Sequence, residues 1–220
     1  MEEIYKILIA AAVGFALSPL SELLKRKIET KQSKNRLIEK LEQSLDIIDP
    51  AIIGLNNSAL AHEQNIYNQS YAEKQFRIPF LRLPKIDEEF EKSYQSLSKK
   101  QRTSISIVLQ GVHYAEDSIK NLINLTVDFS NLQNEYNREP SPENTSRLKH
   151  SYAQILQKEK SLINILISIR HNLKISISDK QSSLTDSEVV LSTSEELGVL
   201  IKLSWWPHLD SKKPKVNSET

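Results

Sequence analysis

The residues of this chain best suited to hold a metal or move a proton are five histidines, at positions 62, 113, 150, 171 and 208. A helical metal site draws ligands from one face, as His-x-x-x-His or as paired Glu-x-x-His, and neither pattern occurs. His113 and Glu116 stand three apart and supply half a site at most, which reads as a local hydrogen bond. With no cysteine there is no zinc-thiolate or iron–sulfur site, no disulfide and no cysteine nucleophile. The four glycines, at 14, 54, 111 and 198, are too dispersed to cradle a phosphate, and Gly-x-Ser-x-Gly is absent. The acidic run Asp87–Glu91 lacks the glycine and ligand spacing of a calcium loop and reads as a solvated helix start. The sequence therefore offers no catalytic, cofactor-binding or metal-ligating residue, implies no cofactor, and points away from an enzyme.

Two basic–imidazole neighbours remain, Arg147 with His150 and Arg170 with His171. All-helical RNases of the HEPN class use an Arg and a His four to six residues apart, a spacing that no pair here has. A helical nuclease with a degenerate motif built on Arg147, His150, Arg170 and His171 is thus an alternative reading. Lys and Arg exceed Asp and Glu by 29 − 28 = 1, so net charge gives no reason to invoke nucleic acid. Asn-x-Ser/Thr triplets at 56, 68, 124 and 144 are expected by chance in a chain this rich in Asn and Ser.

The elements that would carry such residues begin with an apolar run from Ile7 to Leu17 that includes Ile7, Leu8, Ile9, Val13, Phe15 and Leu17. Alone it is short of the roughly 20 residues that cross a bilayer; extended from Ile4 to Leu24, with Lys6 and Glu22 near the headgroups, it reaches spanning length. Two Glu in Met1–Lys6 argue against a cleaved signal peptide. Lys25, Arg26, Lys27, Lys31, Lys34 and Arg36 follow, and the positive-inside rule places the N-terminus outside and the body in the cytoplasm. The same cations suit anionic lipid headgroups. The competing reading is a hydrophobic helix packed inside a soluble cytoplasmic bundle.

Residues 1–24 thus read as an anchor, 25–36 as a basic neck, and 37–178 as an antiparallel bundle of long helices. Leu37, Leu41, Leu45 and Ile48 recur at helical steps, and Asp49-Pro50 predicts a stop and a second helix from Pro50 to about Glu73. Residues 76–84 hold Pro79 and Pro84 and must be extended. Phe76, Ile78, Phe80 and Leu81 there form a candidate interaction strip, with packing against the bundle as the plainer reading. A stripe from Ile86 to Tyr136 predicts one long helix, with Gly111 allowing a close approach or a kink. Ser141-Pro142-Glu143 starts another, to Ile177 or Ser178, whose apolar stripe is interrupted by Glu159. Residues 179–195 read as a linker, before an apolar segment with Trp205 and Trp206 and a polar tail. Those tryptophans suit either a membrane interface or closure of the bundle end.

The expectation is an all-α protein with an N-terminal transmembrane helix, single-pass and coiled-coil-like in its long helices. Its body would act as a non-enzymatic interaction or assembly module at the inner membrane face, partnered by the lipid bilayer and by a second copy or another protein. The layout resembles, in architecture alone, membrane-associated helical proteins of antiviral defence islands. An oligomeric pore is a further alternative, since Ala10–Ala12, Gly14 and Ala16 permit close helix contact.

Overall fold

The computed structural model describes residues 2–68, 78–178 and 184–210, without the side chains of 2, 4, 5, 7–18, 207 and 210. Among the described residues every regular element is helical, with no strand. Helix α1 spans Glu2–Tyr67, α2 Asp87–Ser93, α3 Lys99–Arg138, α4 Pro142–Ser178, α5 Asp186–Leu197 and α6 Pro207–Asp210. Single 3-10 turns at Tyr94–Ser96 and Leu203–Trp205 precede α3 and α6.

Helix α4 is the central element. Its partners fall along α1 as Asp49 to Arg170, Ser58 to Glu159 and Asn65 to Tyr152, so the two helices run antiparallel. On α3 they fall as Gln101 to the Ser176 carbonyl and Glu135 to Arg147, antiparallel again. Covered from two sides, α4 buries Leu162, Ile163, Leu166, Ile167, Ile169 and Leu173. A helix apolar on most of its circumference is what a central position demands, and this explains the strand-like alternation of isoleucines in its sequence.

Helix α1 runs through Asp49-Pro50 without a break, contrary to the predicted stop. A mid-helix proline costs about 3 kcal/mol. Ile48 and Ile52 on either side are fully buried, each at roughly 1.5–3 kcal/mol, and outweigh it. Asp49 does not cap a new helix; its carboxylate is held by Arg170. The basic neck is likewise helical, since Lys, Arg, Glu and Gln are good helix formers even where nothing packs on them.

The single long helix expected from Ile86 to Tyr136 is two. The chain extends at Leu97, and Ser98 starts α3 by accepting from the Gln101 N–H while Gln101 returns a bond to the Ser98 N–H. Gly111 causes no break in α3; it allows α3 and α4 to approach, because a Cβ there would lie 2.7 Å from Ile169 Cγ1. Helix α4 occupies the predicted range. The expected linker, by contrast, contains α5, started by a reciprocal Thr185–Glu188 cap and ended by Gly198 in the left-handed region at φ 63°. After it, Ile201, Trp205, Trp206 and Leu209 are buried on the body.

Among the described residues no helix is long and apolar enough to cross a membrane. The apolar side chains on which the anchor was read, Ile7, Leu8, Ile9, Val13, Phe15 and Leu17, lie outside the described residues.

Candidate functional site

Three polar groups join α1 to α4 and to the C-terminal segment. The innermost centres on Glu159, the charged residue that interrupts the apolar stripe of α4. Its Oε1 accepts from Ser58 Oγ at 2.8 Å and its Oε2 lies 2.7 Å from His62 Nδ1, with Glu159 and His62 almost wholly buried. The helical spacing of Ser58 and His62 puts both on the same face of α1. The His62 ring meets Tyr152 edge-on, and Tyr152 Oη accepts from Asn65 Nδ2 at 2.9 Å.

Serine, histidine and glutamate are the residue types of a hydrolytic triad, but the connectivity here is different. A nucleophilic serine donates to the imidazole, which the carboxylate orients from the far side. Here the carboxylate stands in the middle and takes the serine proton donor itself. The cluster is an interhelical clamp whose hydrogen bonds satisfy a carboxylate that would otherwise be costly to bury.

The second group joins α4 and α1 to the C-terminal cap, the segment 186–210. Arg170 Nε donates to Asp49 Oδ1 at 2.7 Å and Nη1 to Glu196 Oε2 at 2.7 Å, tying α4 to α1 and α5. Lys174 shares the Glu196 oxygen. Burial acts to raise the Glu196 pKa, but the hydrogen bonds and charges of Lys174 and Arg170 outweigh it and bring it down to about 2. The Arg170 side chain is buried, which opposes its charge, yet the two carboxylates raise its pKa further.

In the third group Glu63 accepts from Lys160 at 3.0 Å, Lys202 at 2.7 Å and Trp205 Nε1 at 3.0 Å. Burial works against its charge, and the two lysines still hold its pKa below the ordinary value. The Lys160 ammonium also lies 5.2 Å from the centre of the Trp205 ring.

Residues singled out from sequence are dispersed by the fold. Arg147 pairs with Glu135, and His150 bonds Gln154, both exposed. Arg170 belongs to the group with Asp49 and Glu196, about 35 Å along α4 from Arg147 at roughly 1.5 Å per residue. His171 lines a cavity of about 280 Å3 with Asp186 and His208; burial first, then Lys174 and Lys100, lower its pKa. His113 faces Asp117 at 3.7 Å in place of the expected Glu116. Among the described residues no three His, Asp or Glu side chains are grouped so as to hold a metal. The buried network on Glu159 was missed, though an isolated acidic residue at a core position was its signal.

Of the interaction strip, Ile78 and Leu81 are half-buried against the core, Phe80 is 84% exposed, and Phe76 lies outside the described residues. Leu81 and Leu83, with Val108, Leu109 and Val112 of α3, line a cavity of about 640 Å3. Of the basic cluster, Lys25, Arg26, Lys27 and Lys31 lie on α1 before its first buried residue, Ser33, where residues 19–29 are all exposed, while Lys34 and Arg36 lie on the part that packs on the bundle. Arg26 pairs with Glu22, and Lys34 donates to the Ser96 carbonyl.

No protein-family model matches the chain, and no curated protein or solved structure is similar to it at a significant level.

Proposed function

We propose that this protein is a membrane-tethered helical module that binds or assembles proteins at the inner face of the membrane and performs no chemistry of its own. The observation that carries the reading is the two-part character of α1. From Ser33 onward one face of the helix is buried in the bundle, whereas residues 19–29 are exposed on every side. In that stretch Leu20, Leu23, Leu24 and Ile28 are each more than half exposed, interleaved with Lys25, Lys27 and Lys31. Apolar side chains with lysines among them suit a headgroup boundary, where the stems lie in the apolar layer and the ammonium groups reach water and anionic phosphate.

This exposed stretch directly continues the apolar run Ile7–Leu17. Anchoring by residues 1–24, with the N-terminus outside and the body in the cytoplasm, follows from the run and from the cations after it. The non-enzymatic character of the reading is supported by how the reactive side chains are used: Ser58, His62 and Glu159 are consumed by one another in the core.

Carbonate and detergent fractionation of the full chain, beside a version starting at Glu29, tests the reading. A full chain that leaves the membrane only with detergent, and a shortened chain that stays soluble and helical, are the expected results. A full chain recovered in the soluble fraction, with a shortened chain that aggregates, would make the first helix a core element and remove the tether.

A further inference from the structure

Two acid-free stretches of the sequence meet at one end of the body. Residues 30–38 hold Lys31, Lys34 and Arg36, residues 92–103 hold Lys92, Lys99, Lys100 and Arg102, and neither stretch contains an Asp or a Glu. The fold joins them where Lys34 Nζ donates to the Ser96 carbonyl at 3.3 Å, 62 residues away along the chain. Ser98 then caps α3, so Lys99, Lys100 and Arg102 stand at its start, beside the neck of α1. Tyr94, 47% exposed, lies among them with the Arg102 guanidinium 4.8 Å from its ring centre. The seven cations outnumber the acids that flank the two stretches, Glu29, Glu39, Glu88 and Glu91, and Glu88 is itself taken up by Lys92.

This is the end from which α1 leaves the body. Ser33 is the first buried residue of α1, residues 19–29 before it are exposed, and α3 begins where α4 ends, with Gln101 donating to the Ser176 carbonyl. A bilayer entered by the run Ile7–Leu17 therefore faces the patch. From Leu24, the last residue of the span, Lys31 stands about 10 Å away and Lys34 about 15 Å, at roughly 1.5 Å per residue. Headgroups fill roughly 5–7 Å of that distance, which leaves both ammonium groups within about one Debye length, roughly 8 Å, of the headgroup layer.

We propose that this end of the body is a second lipid-contact surface, on which Lys99, Lys100, Arg102 and Tyr94 join Lys31 and Lys34 to seat the bundle on anionic phospholipid headgroups. The inference rests on the tether reading above and names the leaflet chemistry that the body itself meets. Lys99, Lys100 and Arg102 are remote in sequence from the span, and only the fold brings them to the neck. Anionic lipid is favoured over an acidic protein because the patch looks along the projecting helix, and Leu24 and Ile28 on that helix lead from the apolar run to it. An aromatic ring set among cations also suits the headgroup level. A tether holds the patch at the surface, so each weak charge contact acts within one molecule at high effective concentration. The body is then seated on a leaflet rich in anionic lipid and lifted from a neutral one.

Because the chain has no cysteine, Gln95→Cys supplies a single thiol on the exposed turn of the patch. The full chain with a fluorophore there is inserted into phosphatidylcholine vesicles that contain a nitroxide-headgroup lipid, with or without phosphatidylserine. Stronger quenching with phosphatidylserine, relieved by salt, is the expected result. Lys99→Gln with Lys100→Gln should shift the balance between seated and lifted body about twenty-fivefold toward the lifted one, from two cations at about fivefold each. Lys99→Arg with Lys100→Arg should leave the body seated. Both positions lie in the first turn of a capped helix, and unchanged circular dichroism shows that each variant folds. Quenching indifferent to phosphatidylserine or to the glutamine pair overturns the surface and leaves the tether standing, whereas a chain that never enters the vesicles overturns both. A label that responds to an acidic polypeptide and not to phosphatidylserine overturns the lipid as partner.

Discussion

Glu159 and His62 face each other across the α1–α4 interface at 2.7 Å, in a place where the sequence spacing calls for two apolar side chains. Neither reaches solvent. Removing one partner leaves the other buried without its bond, a loss of about 3–5 kcal/mol. Glu159→Ala and His62→Ala are each expected to lower stability by about that amount, and together by much less than the sum. Chemical denaturation of the four proteins in the cycle measures it; additive losses would mean that the two residues act independently.

Acid should loosen the C-terminal cap before it melts the bundle. Glu196 has its folded pKa lowered from 4.5 to about 2, and that of Glu63 is lowered as well. A carboxylate with a depressed folded pKa stabilises fully above its unfolded value, and the contribution is lost as pH falls through the folded one. The cap therefore weakens between about pH 4.5 and about pH 2. Tryptophan fluorescence from Trp205 and Trp206 against pH reports it, and Glu196→Gln should flatten the profile in that window. A profile unchanged by the substitution would place the acid response elsewhere.

Gly111→Ala is expected to destabilise by about 1–2 kcal/mol, although alanine is the better helix former by about 1 kcal/mol. The new Cβ would lie 2.7 Å from Ile169 Cγ1 and 3.3 Å from its Cδ1. Cγ1 is close to the α4 backbone and cannot swing aside as a chain end can. In an Ile169→Ala background the same substitution should be neutral or stabilising. Thermal unfolding of both backgrounds decides the matter.

Trp205→Phe keeps most of the buried ring but removes the N–H that donates to Glu63, and should cost about 1–3 kcal/mol of cap stability. Trp205→Ala should cost about 3–5 kcal/mol. Limited proteolysis of the C-terminal segment 186–210 is expected to accelerate in that order. Equal rates in all three proteins would show that the cap is held without this residue.

The parts of the fold legible in the sequence are those where one local rule agrees with packing. Helix α4 starts at Pro142 with Glu143 in its first turn, as N-terminal proline and acidic residues dictate. At Pro50 the local rule and the packing disagree, and packing prevails because its apolar neighbours Ile48 and Ile52 are fully buried in the core. Two helix starts went unread although their signature was present: Ser98 with Gln101, and Thr185 with Glu188, are both reciprocal caps. The first was hidden by an apolar stripe that keeps its period across the break, the second by a Ser- and Thr-rich composition resembling a linker. Partners are harder still. That Glu159 meets Ser58 and His62, or that Glu63 gathers Lys160, Lys202 and Trp205, depends on which helices become neighbours, and no spacing within one helix contains it.

The 66 residues of α1 form one helix of about 100 Å at roughly 1.5 Å per residue, and its residues 19–29 stand clear of the bundle. A rod shared between a point of attachment and a body sets both the standoff and the bearing of that body. Each residue inserted before Ser33 would lift the bundle by about 1.5 Å and swivel it by about 100°, since helical rise and rotation are coupled. A partner held at one face of the body would tolerate the change in height but not the change in azimuth. A seven-residue insertion, close to two full turns, should preserve what a single residue disrupts.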